Sequence, residues 1–222
     1  MDPEQEESRT GNRLLSALER FALAGTRPED KEDDRIRKAT LTVSSVIVIL
    51  LSPIWIVTYF ALGFLVPASI PLVYEVVSIA SLVIFLRTKR YRAFRFTQIL
   101  LMALLPFLLQ ISLGGFVAAS GVILWSFTSP VGALLFYGRE RALWWFAVFA
   151  GLVVSTGILE PFIDPVGRIP APIHFGFFVM NVLGPCLTTF LLVHYFVRQR
   201  DVARAALDEQ HRLLLIERER SE

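Results

Sequence analysis

Charge is what the central part of this sequence lacks. Residues 39–197 hold only eight basic and four acidic side chains, whereas residues 1–38 alone hold eight basic and ten acidic ones. The whole chain of 222 residues is 54% hydrophobic and 19% charged, whereas about a quarter of a typical globular protein is charged. A water-soluble fold cannot expose such a stretch, so we predict that most of the chain lies in a membrane.

Cysteines and long hydrophilic segments are also scarce. Cys186 is the single cysteine, which excludes an internal disulfide framework and a cysteine-based zinc site. The first apolar run begins only after residue 38, so it is not a secretory signal. Each polar flank is below about 40 residues, the size under which a domain rarely folds unaided. These features exclude an enzyme acting on soluble substrates, and the net charge of +2 does not point to a nucleic-acid partner.

Long apolar runs fill the remaining sequence. A helix needs about 20 apolar residues to cross the hydrocarbon core. Pro53, Pro106 and Pro185 fall inside such runs and are expected to kink them. We predict an all-α membrane protein with six transmembrane helices, at 39–63, 68–86, 94–113, 116–137, 142–159 and 173–197.

The positive charges predict the orientation of these helices, because Lys and Arg collect in cytoplasmic loops. Arg168 is the single basic residue on one side of the predicted bundle. The other side carries Arg35, Arg37, Lys38, Arg87, Lys89, Arg90, Arg92, Arg95, Arg139, Arg141, Arg198 and Arg200. We therefore expect a multi-pass protein of the cell (inner) membrane with both termini in the cytoplasm.

Both cytoplasmic flanks contain helical patterns. In the segment 1–38, residues 12–24 place leucines and Phe21 on one face, which predicts an amphipathic helix that ends at Gly25. The segment 198–222 has no Gly or Pro and is rich in helix-forming residues. Ala203, Leu207 and Leu214 recur there near multiples of seven. This spacing predicts a coiled-coil-like transducing helix that continues the sixth span and pairs in a homodimer.

The two ends of the chain carry a family resemblance. The sequence DEQHRLLLIERERSE (208–222) resembles the helix that precedes the catalytic domain in bacterial membrane-anchored class III adenylate and guanylate cyclases. The segment PEDKEDDRIRKATL (28–41) is similar to the acidic-then-basic lead-in of the same six-helix anchors. The resemblance implies that this chain is the membrane anchor and receptor portion, and that a catalytic domain converting ATP to cAMP and diphosphate follows it.

In that family the catalytic domain binds two magnesium or manganese ions through paired aspartates and forms its sites between two protomers. Those motifs do not occur in this sequence, so we expect no catalytic residue, metal site or cofactor within it. Sensor histidine kinases also join six spans to a Glu/Arg-rich helix, and they are the first alternative. Their phosphoacceptor segment often reads E-R-x-R-I-A-R-E-L-H, whereas residues 217–222 read ERERSE. A small transporter is the second alternative.

Four polar residues interrupt the apolar spans at a similar predicted depth: Glu75, Gln110, His174 and Asn181. Ionisable and polar groups inside a membrane are costly, so they are candidates for function. One interpretation is an outward-facing pocket for a small extracellular or lipid ligand. The other is that the four groups satisfy one another through interhelical hydrogen bonds. A pair between Glu75 and His174 is the most specific expectation.

Overall fold

Helices and short turns make up the described chain. The computed structural model describes residues 20–221, and this range contains no strand. The α-helices are α1 (Glu32–Leu51), α2 (Pro53–Ala61), α3 (Leu65–Thr88), α4 (Tyr91–Leu113), α5 (Gly115–Ala118), α6 (Thr128–Tyr137), α7 (Arg139–Leu159) and α8 (Ala171–Ser221). Two 3₁₀ segments, Val122–Phe127 and Glu160–Phe162, lie before α6 and after α7.

The outer surface of the helices is apolar. Leu143 and Trp144 on α7 are 64% and 76% exposed, which water would penalise but lipid tails do not. In the described range, five helices are long and apolar enough to cross a membrane, with α1 and α2 counted together. The apolar helix Val122–Tyr137 is shorter. The chain is therefore an all-helical protein with the features of a membrane protein.

Prolines set several helix boundaries. The first predicted span is broken at Ser52, because Pro53 has no N–H and its ring crowds the preceding turn. The second predicted span starts too late, since α3 begins at Leu65 and includes Pro67. A proline is tolerated there because the first turn of a helix needs no N–H donor.

The fourth predicted span differs most from the structure. Gly114 ends α4 with φ +109°, as the Gly114–Gly115 pair indicates. The expected continuous helix over 116–137 is instead interrupted after α5. Ser120 and Gly121 adopt φ +54° and +67°, left-handed values that an α-helix does not accommodate. We call residues 114–127, from Gly114 to the end of the 3₁₀ turn, the interrupted segment.

The chain between α4 and α7 still runs from one end of the bundle to the other. Gly114 lies against Pro165 in the loop that follows α7. The carbonyl of Phe136, near the end of α6, accepts a hydrogen bond from Arg95 at the start of α4. We call the end that holds Lys38, Arg95 and the other clustered cations the basic end, and the end at Gly114 and Pro165 the far end.

Two clusters of buried side chains hold the bundle together, one toward each end. Toward the basic end, Phe85 of α3 stacks on Phe94 of α4 with ring centroids 4.6 Å apart. Toward the far end, Trp55 of α2 lies parallel to Phe177 of α8 and meets Trp125 edge-on at 5.8 Å. Such aromatic pairs contribute about 0.5–1.5 kcal/mol each beyond simple burial.

The last helix is continuous through 51 residues and includes the predicted span 173–197. It packs mainly on the 3₁₀ turn Val122–Phe127 and on α6. Side chains of the predicted coiled-coil seam, at Ala203, Leu207 and Leu214, lie outside the described ones. The predicted amphipathic helix over 12–24 also falls largely outside them, and residues 20–23 are helical up to a turn at Ala24 and Gly25.

Candidate functional site

The interrupted segment leaves backbone groups without partners inside the bundle. A helix that stops within apolar surroundings frees carbonyl and N–H groups, and each unpaired group costs several kcal/mol there. Some of these groups pair within the segment, as the Gly121 N–H does with the Phe116 carbonyl, and others bind side chains on neighbouring helices. Three of the four polar residues named from the sequence supply them.

Asn181 of α8 makes the largest number of these bonds. It is fully buried, and its amide nitrogen donates to the carbonyls of Ala119 and Ser120 at 3.5 and 3.2 Å. Its Oδ1 accepts a hydrogen bond from the Trp125 indole at 3.2 Å. The Asn181 side chain thus joins α8 to the interrupted segment both before and after Gly121.

Gln110 and His174 bind the same segment from two other positions. Gln110 of α4 is fully buried, and its Oε1 accepts from the N–H of Ile123 at 3.0 Å. Nε2 of His174, two turns before Asn181 on α8, lies 2.8 Å from the carbonyl oxygen of Val117, which fixes that nitrogen as the donor. The structure therefore brings Gln110, His174 and Asn181 together around one piece of backbone.

Glu75 lies apart from this group. Its carboxylate accepts a hydrogen bond from the Ser52 hydroxyl at 2.6 Å, at the break between α1 and α2. Among the described residues, the expected pair between Glu75 and His174 is not formed, because each side chain has a different partner. Similar depth along the helices was enough to predict that these polar residues lie near one another. Which of them form a pair depends also on the direction in which each side chain points around its helix axis.

Partners that the sequence did not single out complete this arrangement. Ser52 binds Glu75, Trp125 binds Asn181, and Glu160 accepts from the N–H of Phe116 at 3.2 Å. Ser52 carried a usable signal, because a serine directly before an intramembrane proline stands where a helix is broken. Trp125 and Glu160 carried none, since their roles depend on the unexpected turn.

A small cavity adjoins the interrupted segment. It has a volume of about 90 Å³ and lies between the break at Ser52, α3, α4 and the 3₁₀ turn. Trp55, Tyr74 and Trp125 line it together with aliphatic side chains. The Trp55 indole nitrogen is buried without a hydrogen-bond acceptor among the described residues. The cavity is thus apolar with a donor near its wall.

The basic end contains a second group of polar contacts. The Arg95 guanidinium lies 3.8 Å from the ring centroid of Tyr137 and 5.1 Å from that of Tyr91. Lys38 lies 5.8 Å from the centroid of the Tyr91 ring, and Arg141 lies 5.3 Å from that of Tyr137. Alternating cations and rings therefore join α1, α4, α6 and α7.

The residues before α1 fold back onto this end. Lys38 forms a bidentate ion pair with Asp30 at 2.6 Å, and Asp30 also accepts from the N–H of Arg27. The hydrogen bond from Lys38 lowers the pKa of Asp30 below its usual value. Lys89, at the end of α3, donates to the carbonyl of Ala24. The start of the described chain is thus held by two lysines.

Chemically, the contacts described above hold helices in position relative to one another. In the described range, no three His, Cys, Asp or Glu side chains lie close enough together to hold a metal ion. Gln110, His174 and Asn181, which we call the far-end polar group, connect α4 and α8 to the interrupted segment. The cations and rings of the basic end connect the first helix to three others. A displacement of α8 would have to break or remake the bonds of His174 and Asn181.

Comparison with known proteins gives no relative for this chain. No family model, no curated protein and no solved structure matches it.

Proposed function

We propose that this chain is the membrane anchor and regulatory receptor domain of a class III nucleotide cyclase, most simply an adenylate cyclase, whose catalytic domain follows residue 222 in the full-length protein. In this proposal the chain crosses the inner membrane six times, with the interrupted segment and α6 forming the fourth crossing. Both termini lie in the cytoplasm, since the cations of the basic end favour that side.

The observation that carries this proposal is the continuity of α8. At 1.5 Å per residue, its 51 residues extend over about 77 Å. The hydrocarbon core is only about 30 Å thick, so more than half of the helix projects beyond it. A helix that starts beside the far-end polar group and ends in an Arg/Glu-rich stretch is suited to transmit a shift from the bilayer to a cytosolic domain.

The bonds around Asn181 supply the regulatory element. A stimulus acts only through a difference in affinity between two arrangements of the bundle. We infer that one arrangement keeps Asn181 on the interrupted segment and that the other releases it. Glu75, Gln110, His174 and Asn181 lie in the outer half of the proposed bilayer, where a small extracellular or lipid ligand would act.

Dimerisation is part of the proposal because class III catalytic sites form between two protomers. Leu183, Leu187 and Phe190 lie along α8 and are 61%, 57% and 64% exposed. This apolar strip and the helix beyond residue 197 are the proposed contact between two copies.

The test uses the full-length gene product in membranes. We would measure cAMP and cGMP formation with magnesium or manganese, in the intact protein and after removal of residues 1–197. Cyclase activity that changes on removal supports a regulatory bundle, whereas unchanged activity leaves an anchor alone. Absence of cyclase activity, together with autophosphorylation from ATP, would favour the sensor histidine kinase instead.

Variants in the bundle separate regulation from anchoring. Asn181→Leu in the full-length protein should change the basal cyclase rate, because it releases α8 from the interrupted segment. Thr189→Val on the same helix should leave the rate unchanged, since the Thr189 hydroxyl has no partner among the described residues.

A further inference from the structure

A cationic cleft lies at the basic end, between the start of α1 and the turn that joins α3 to α4. Its volume is about 640 Å³. Six charged residues line it: Asp34, Lys38, Lys89, Arg90, Arg92 and Arg95. Five of these are cations, so the charge of the cleft is strongly unbalanced.

The imbalance remains after the ion pairs are counted. Lys38 is neutralised by Asp30 at 2.6 Å. The remaining four cations of the cleft face one carboxylate within its lining, that of Asp34. An excess of about three positive charges in a recess attracts anions more strongly than the same charges on a convex surface.

Arg95 is held in place to receive an anion. Its Nη1 donates to the Phe136 carbonyl at 2.6 Å, and its guanidinium lies against the rings of Tyr137 and Tyr91. Its Nε is buried and has no acceptor among the described residues. Guanidinium groups bind phosphate and carboxylate through two parallel bonds, and Arg95, which lines the cleft, has an N–H without an acceptor among the described residues.

The start of α4 adds backbone donors to the same cleft. Arg90 precedes this helix without a capping side chain, and the first turn contains no acidic residue. The N–H groups of Arg92 and Ala93 have no acceptor in the described part of the chain. The amino terminus of a helix of 23 residues also carries a partial positive charge.

We propose that this cleft binds a phosphate group, through Arg90, Arg92, Arg95, Lys89 and the first amides of α4. The ligand is a phosphate-bearing anion, either the headgroup of an anionic phospholipid or a soluble phosphate compound. The site belongs to the bundle itself and does not depend on the proposed catalytic domain.

The binding experiment has two arms, both on the purified chain in phosphatidylcholine nanodiscs. In the first, phosphatidylglycerol is added to the nanodiscs, and the lipid retained after extraction is counted by native mass spectrometry. In the second, inorganic pyrophosphate is titrated by calorimetry. Retention of phosphatidylglycerol without pyrophosphate binding assigns the site to a lipid headgroup, and the reverse assigns it to a soluble phosphate.

Two charge variants with opposite expected effects test the residues. Each charge near such a surface contributes on the order of 1 kcal/mol, which is about fivefold in affinity. The double variant Arg90→Gln/Arg92→Gln removes two charges and should weaken binding of whichever probe binds, phosphatidylglycerol or pyrophosphate, by about twenty-five-fold. Asp34→Asn should strengthen it by about fivefold, and a gain in affinity cannot result from misfolding.

Arg139→Gln is the matched control, because Arg139 is exposed at the same end but does not line the cleft. It should leave binding unchanged. The proposal is overturned if neither probe binds, if Arg139→Gln weakens binding as much as the double variant, or if Asp34→Asn fails to strengthen it.

Discussion

At the scale of single residues, Asn181 supports more of the interrupted segment than any other side chain described here. Its replacement by leucine keeps the size of the side chain but removes the Asn181 bonds to the Ser120 carbonyl and the Trp125 indole. The Ala119 carbonyl loses a long second bond and keeps the one from the N–H of Val122. Hydrogen bonds within membranes contribute about 0.6 kcal/mol on average and up to about 1.7. We predict that Asn181→Leu lowers the free energy of unfolding by about 1–3 kcal/mol, measured by titration with SDS in mixed micelles.

The matched control for this prediction is Thr189→Val on the same helix. The Thr189 hydroxyl is buried without a partner among the described residues, so its removal should be neutral or slightly stabilising. Equal losses in Asn181→Leu and Thr189→Val would contradict the role assigned to the Asn181 bonds.

A second residue-scale prediction concerns pH and the docking of the first described residues. The pKa of Asp30 is lowered by the hydrogen bond from Lys38, so this pair stabilises docking at neutral pH. The contribution is complete above the unfolded pKa of about 3.9 and is lost as the pH falls through the lower, folded pKa. We expect the protection of the Arg27 amide against hydrogen exchange to decrease in acid, since this N–H donates to Asp30.

Two carboxylate variants check the pH prediction. Asp30→Asn should lower the protection of the Arg27 amide at neutral pH to the level that the unaltered chain shows in acid. Asp33→Asn should leave it intact, because the Asp33 side chain is 79% exposed and pairs only loosely with Arg37 at 3.7 Å. Protection that declines with pH in Asp30→Asn as it does in the unaltered chain would show that another group is responsible.

The sequence was informative about which residues would need partners and uninformative about which partners they find. Polar groups inside apolar spans must be paired, and this rule alone identified Gln110, His174 and Asn181. Their partners are backbone groups freed by a turn at Ser120 and Gly121. That turn depends on two residues whose left-handed conformation no hydrophobic pattern reveals.

At the scale of elements, the contact between α8 and the interrupted segment is the junction on which the proposed signalling depends. Gly184 lets the Trp125 ring approach α8, and a Cβ built at Gly184 would lie 2.4 Å from that ring. We predict that Gly184→Ala pushes the two elements apart and lowers the free energy of unfolding by about 1–3 kcal/mol, as overpacking does. The same SDS titration measures it.

Gly176→Ala is the control on the same helix. A Cβ at Gly176 meets nothing within 4 Å, and alanine is the better helix former by about 1 kcal/mol. Gly176→Ala should therefore be neutral or stabilising. Equal losses of stability in Gly184→Ala and Gly176→Ala would contradict the claim that close packing of the Trp125 ring makes position 184 special.

Helix boundaries followed from the sequence where one strong local signal stood alone. Gly114 ended α4 because glycine readily adopts the left-handed φ of +109° found there. Pro53 divided the first span because it lacks the N–H that a continuous helix uses and its ring crowds the preceding turn. The start of α3 was missed because Pro67 interrupts a helix in its interior but not in its first turn. The effect of a proline thus depends on its position within the helix, and the sequence does not show where the helix begins.

At the scale of the whole molecule, the two ends of the bundle are built differently. The far end is joined by hydrogen bonds to backbone, one of them from the Phe116 N–H to the Glu160 carboxylate, and by the loop against Gly114. The basic end is joined by cations, aromatic rings and the Asp30–Lys38 pair. Salt should therefore weaken the contacts of the exposed cations at the basic end, and should affect the Asp30–Lys38 pair less, since those two side chains are only 14% and 9% exposed.

The topology of the bundle supplies the last prediction. Because residues 114–137 pass from the far end to the basic end, Thr88 and Glu140 lie on one side and Asp164 on the other. With Cys186→Ala as background, we would introduce Thr88→Cys, Glu140→Cys or Asp164→Cys and label intact bacterial cells with a membrane-impermeant maleimide. Only Asp164→Cys should react, and permeabilised cells should label all three variants. Reaction of Glu140→Cys but not Thr88→Cys in intact cells would mean that the interrupted segment does not cross, and the count would fall to five.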